Sequence, residues 1–160
     1  MRLLFATDLS EPRETIRTVE DFADRLEADL YVLHVHGPIP AAPIPPVDPM
    51  SGVMGFAPYT VFDPEIEETL EEAEEDAFRR FLARHFKRPV RPASRVGDAA
   101  EMILKDAEDE QVDVIILGRR HRSKLERLLE GSVAGGVLRH ATVPVILIPI
   151  LDEESATAAR

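Results

Sequence analysis

The chain has 160 residues, 44% of them hydrophobic, no cysteine and a formal net charge of -11. That length fits one domain with a buried core, and the missing cysteines exclude disulfide frameworks, zinc-thiolate sites and thiol nucleophiles. The acidic balance excludes a broad duplex-binding face, so no nucleic-acid partner is expected.

The opening run Leu3 to Ala6 is apolar and of strand length, and too short for a signal peptide. After it, Ser10 is expected to cap a helix whose apolar positions Ile16, Val19, Phe22, Ala23 and Leu26 share one face. Leu30 to Val35 reads as a second buried strand. His34 and His36 alternate onto one face of it, a pattern that suits strand-end packing better than metal ligation because no third ligand is visible.

Residues Gly37 to Pro64 hold eight of the thirteen prolines and show neither helical nor strand period. They predict a long irregular loop, read either as a plain connection or as a lid that orders over a ligand, and their apolar content leaves contact with a protein partner open. From Glu65 to Arg88 acids come first and bases last along an apolar stripe of Ile66, Leu70, Ala73, Ala77, Phe78, Phe81 and Leu82. This is an amphipathic helix whose charge order complements its dipole, and its acids form a solvated face or a seat for a cation.

Val90 to Val96 is a weak strand, and Pro92 assigns it to a sheet edge because proline cannot donate to a central ladder. Asp98 to Glu101 has capping-box spacing ahead of Ile103, Leu104 and Ala107. Val112 to Leu117 is a buried strand expected to end at Gly118, and the basic run Arg119 to Lys124 follows it. A helix is expected to start at Gly131 and Ser132, its amides and dipole suited to an anion such as phosphate. The pair Gly135 and Gly136 within it predicts close packing on the sheet or on a partner, and His140 is placed to cap its end. Val143 to Ile150 is the last strand, and the tail from Asp152 to Arg160 is expected to fray.

The sum is an α/β three-layer sandwich, a five-stranded parallel sheet with helices on both faces, as one domain over 1–151. No segment approaches membrane-spanning length, so a cytoplasmic location without membrane contact is expected. No phosphate-binding Gly-x4-Gly-Lys loop, magnesium carboxylate pair or Ser-His-Asp set is visible, which predicts a protein that is not an enzyme, with hydrolysis at most slow and incidental.

The run Leu4 to Ser10, the strand Val32 to Val35, the turn Gly97 to Ile103, the stretch Asp113 to Gly118, the segment Leu128 to Val133 and Val143 to Val145 together resemble the universal stress protein family. The spacing Gly-x2-Gly-x9-Gly-Ser, which marks the family's ATP-binding members, is met at Gly118, Gly131 and Ser132, while His121 stands at its second glycine. The resemblance implies the Rossmann-like sheet order 3-2-1-4-5 of the adenine nucleotide alpha hydrolase-like fold. It also implies an ATP or AMP ligand, with magnesium only where it accompanies ATP. On this resemblance Ala6, Thr7, Asp8 and Val35 lie at the base, Leu117, Gly118, Arg120 and His121 run along the ribose and phosphates, and Gly131, Ser132 and Val133 hold phosphate. The family's usual assembly implies a homodimer through strand 143–150. Two functions follow from the resemblance: a nucleotide-binding stress-response sensor, or an interaction dimer that binds no nucleotide.

Overall fold

A computed structural model describes residues 1–37, 64–120 and 133–150. Its elements are β1 (Arg2–Thr7), α1 (Arg13–Arg25), β2 (Asp29–His36), α2 (Pro64–His85), β3 (Arg91–Val96), α3 (Ala99–Asp109), β4 (Val114–Arg120), α4 (Val133–His140) and β5 (Val145–Ile150). All strands are parallel, in the order β3-β2-β1-β4-β5. The near-continuous Val, Ile and Leu runs of β1, β2 and β4 are explained by burial on both faces. Leu3, Phe5, Val32 and Ile116 pack with Ile16, Val19 and Ala23 of α1 and Phe78 and Phe81 of α2. The alternate residues Leu4, Tyr31, Leu33, Ile115 and Leu117 pack with Ile103 and Ala107 of α3 and Val137 of α4.

Several sequence expectations are met on physical grounds. Pro92 sits in β3 at one sheet edge, paired only with β2 opposite Val32. Asp98 caps α3, its Oδ1 accepting from the Glu101 amide at 3.0 Å. His140 uses Nδ1 at 3.0 Å from the Gly136 carbonyl, closing the end of α4.

Others are corrected. Ser10 does not cap α1: Pro12 occupies that position without a side-chain cap, and the Ser10 amide and hydroxyl both turn back to Asp8 Oδ1. The strand through Gly118 does not end there. It continues to Arg120 because β5 supplies partners for it, Gly118 opposite Ile148, Arg119 opposite Pro149 and Arg120 opposite Ile150. At Gly136 the close packing foreseen for the glycine pair is found against a helix. A Cβ at Gly136 would stand 2.7 Å from Ala100 Cβ, so it is α3 that α4 approaches.

The basic residues after α2 belong to its connection with β3 and tie it to α1. The amides of Lys87 and Arg88 donate to Glu20 Oε1 at 2.7 and 3.2 Å, and the Arg88 guanidinium meets Asp24 at 2.7 Å and the Ala28 carbonyl at 2.8 Å. The expected loop at 38–63, the basic run from His121 onward, Gly131, Ser132 and the tail 151–160 lie outside the described residues. Among the described residues, no helix is long and apolar enough to cross a membrane.

Candidate functional site

The sheet order places β1 beside β4, and at this reversal of winding an open α/β sheet leaves a crevice beyond the carboxyl ends of its strands. A cleft of about 160 Å³ lies there. Ala6, Thr7 and Asp8 from β1 and its turn, Val35 from β2, Leu117 and Gly118 from β4 and Val133 from α4 line it, together with Glu11, Ala99, Ile103 and Ala134. The strand ends thus bring together seven of the residues singled out in the sequence. Of the remainder, Arg120 has its backbone in β4, and His121, Gly131 and Ser132 lie outside the described residues.

The wall is apolar on the α3 and α4 side and polar on the α1 side. Such a cleft suits a flat, largely apolar ring whose edge makes a few hydrogen bonds. Its volume is below the roughly 300 Å³ where ordinary ligand pockets begin. Gly118 lets Ile150 close over this wall: a Cβ would stand 2.8 Å from Ile150 Cδ1 and 3.6 Å from Glu11 Cγ.

The polar side is a turn built on itself. Thr7 Oγ1 donates to Glu11 Oε2 at 2.5 Å and accepts from the Leu9 amide at 2.9 Å, while the Asp8 amide donates to Glu11 Oε1 at 3.2 Å. These bonds hold Leu9 at φ 65, a conformation that costs a non-glycine residue about 1–2 kcal/mol. Burial pushes the Glu11 carboxyl up from its ordinary value, the Thr7 hydrogen bond opposes this, and the neighbouring Asp8 charge adds to the rise. His34 supports the turn from below, its Nδ1 3.0 Å from the Thr7 carbonyl and its ring tilted against Phe78 of α2. Its Nε2 lies 3.5 Å from Glu74 Oε2, an ion-pair distance without hydrogen-bond geometry. Among the described residues, no group of three or more His, Asp or Glu side chains is placed to hold a metal ion.

Sequence reading missed Glu11, Ala99, Ile103 and Ala134. Ile103 carries only the signal of a helix core face, and nothing in the spacing around Glu11 marks it as buried. A wider depression of about 620 Å³ runs along α1, but its lining mixes Arg13, Arg17, Lys87 and Arg88 with Glu14, Glu20, Asp21 and Asp24. It is a solvated groove of mixed charges in which Arg88 and Asp24 form an ion pair.

Residues 1–149 match the model of the universal stress protein family. The chain belongs to the universal stress protein family. Universal stress protein MJ0577 of Methanocaldococcus jannaschii is 31% identical to it over 156 residues, covering 92% of this chain and 93% of the relative. Universal stress protein MJ0531 of the same organism is 25% identical over 150 residues, with 92% and 81% covered. Among solved structures, that of hypothetical protein MJ0577 superposes with a TM-score of 0.66 and 24% identity over 95% of this chain and 97% of that one. A universal stress protein in complex with cAMP superposes with a TM-score of 0.59 and 15% identity over 94% and 98%. Both structural likenesses carry the fold of this universal stress protein, a Rossmann-like sheet wound in the order 3-2-1-4-5.

Proposed function

We propose that this universal stress protein is a homodimeric adenine-nucleotide-binding module, a sensor or regulator in the stress response and not a catalyst. The observation that carries the reading is the cleft at the β1 and β4 strand ends, lined by Ala6, Thr7, Asp8, Val35, Leu117, Gly118 and Val133. The base lies on the apolar wall of Val35, Ile103 and Leu117, with Asp8 at its polar rim. Phosphates extend toward the segment that contains Arg120, His121, Gly131 and Ser132, where the signature spacing falls. ATP or AMP is the ligand, and magnesium enters only with ATP. A likeness in fold to a universal stress protein in complex with cAMP supports the ligand class.

The chain acts as a single domain over 1–151, and the segment between β2 and α2 is its contact for a protein partner. Dimerisation uses β5, which among the described residues occupies a sheet edge and is paired on one side only. Self-pairing across a twofold axis would cover that edge. A cytoplasmic location agrees with the absence of cysteine.

A second reading, an interaction dimer that binds no nucleotide, is favoured by the buried Glu11 carboxyl in the cleft and by His121 at the second glycine of the signature. Calorimetry with ATP, ADP and AMP on the natural chain and on His121→Gly separates the two. Heat from the natural chain supports the first reading. Silence from both proteins leaves the second.

A further inference from the structure

Among the residues lining the cleft, Glu11 is the buried acid, 6% exposed where Asp8 beside it is open to solvent. Its two carboxyl oxygens take the Thr7 hydroxyl and the Asp8 amide. Amide and hydroxyl donors at the end of the first strand are the groups a doubly wound sheet commonly offers to an anionic ligand. In this chain its own carboxyl already holds them. The Leu9 amide hangs on the same Thr7 oxygen, so the turn presenting Asp8 is assembled around the Glu11 side chain.

We propose that Glu11 sets the charge selectivity of the cleft: its carboxyl holds the Asp8 turn and, when ionised, turns anionic ligand groups away from the β1 side. Glu11 is therefore a selectivity and positioning residue, and the inference rests on the nucleotide reading of the same cleft. A buried charge acts through a medium of low polarisability, so its effect on a second charge in the cleft exceeds that of an exposed acid. The raised carboxyl value means that Glu11 loses its charge on acidification before an ordinary glutamate does.

The titratable groups facing this turn are Asp8 within it and His34 of β2 below the Thr7 carbonyl. Arg13 and Glu14 follow on α1 and are exposed, and among the described residues Gly118 of β4 lies against the Glu11 side chain. A change in selectivity caused by His34 or Asp8 would persist when Glu11 is replaced.

The test compares adenosine, which is uncharged, with cyclic AMP, whose phosphodiester keeps one negative charge across the range. Binding of each is measured by calorimetry to the natural chain and to Glu11→Gln, at pH about 8 and about 5. In the natural chain the affinity for cyclic AMP relative to adenosine rises about fivefold or more on acidification, and Glu11→Gln shows the higher ratio at both pH values. A ratio and pH dependence in Glu11→Gln equal to those of the natural chain overturn the inference while leaving the nucleotide reading intact. Failure of both proteins to bind either ligand overturns the nucleotide reading and the inference with it. Should Glu11→Gln not fold, a ratio in the natural chain that stays flat with pH overturns the inference by itself.

Discussion

The Tyr31 hydroxyl donates to Asp106 Oδ2 at 2.6 Å, joining β2 to α3 through a carboxyl that is 2% exposed. Arg95 of β3 completes the set, its Nε 3.0 Å from Asp106 Oδ1. The network thus fastens the edge strand and a covering helix to the sheet, on the apolar face that also forms one wall of the cleft.

Removing the acceptor leaves the phenol buried without a partner, whereas the half-exposed Arg95 recovers water. Asp106→Ala is expected to cost about 3 kcal/mol and Tyr31→Phe about 2 kcal/mol. Urea unfolding measures both. Burial and the hydrogen bond to Asp106 push the Tyr31 phenol well up. Its contribution is therefore complete below the unfolded value of about 10 and is lost as pH climbs toward the folded one. Tyr31→Phe should flatten the alkaline limb of the stability profile.

Glu11 has a stability signature of its own. Its folded-state value lies above the ordinary 4.5, so well below that pH the carboxyl is protonated in both states and its contribution is complete. As pH rises the unfolded chain ionises first, and stability is lost until the folded carboxyl has ionised too. The stability of Glu11→Gln relative to the natural chain should therefore rise as pH climbs above about 4.5. Paired urea titrations across that window check the sign.

Gly136→Ala tests the contact of α4 with α3. The substitution gains about 1 kcal/mol of helix propensity, but its Cβ would lie 2.7 Å from Ala100 Cβ, an atom that moves only with its helix. Net destabilisation of about 1–2 kcal/mol is expected. Adding Ala100→Gly should restore part of it, a coupling that a double-mutant cycle reads directly. At Gly118 the clash is with the far end of Ile150, which can rotate. Gly118→Ala should cost only about 1 kcal/mol, and Gly118→Val should cost more and close the cleft to ligand.

If β5 is the dimer edge, equilibrium sedimentation at micromolar concentration should return twice the chain mass. A monomer would count against that assembly.

The strands were legible because burial on both faces leaves continuous apolar runs, and the edge position of β3 because Pro92 withholds a donor. Seven residues of the cleft were reachable through the family resemblance, since six fall at strand ends fixed by sheet order and Val133 opens α4. The extension of β4 past Gly118 was not legible: Arg119 and Arg120 look like loop residues until β5 is seen pairing with them. Ser10 looked like a helix cap because its competing partner Asp8 lies only two residues away. Glu11 was invisible for a related reason, as the burial of one acid is decided by Thr7, Gly118 and Ile150, which converge only in the folded chain.

The central claim is that the cleft between the ends of β1 and β4 binds an adenine nucleotide. Titrating AMP into the ¹⁵N-labelled protein and following its backbone amides tests it most directly. Saturable shifts concentrated at Ala6, Thr7, Asp8, Val35, Leu117, Gly118 and Val133 are the result expected. Absence of saturable shifts at these amides, or shifts confined to the charged groove along α1, would contradict it.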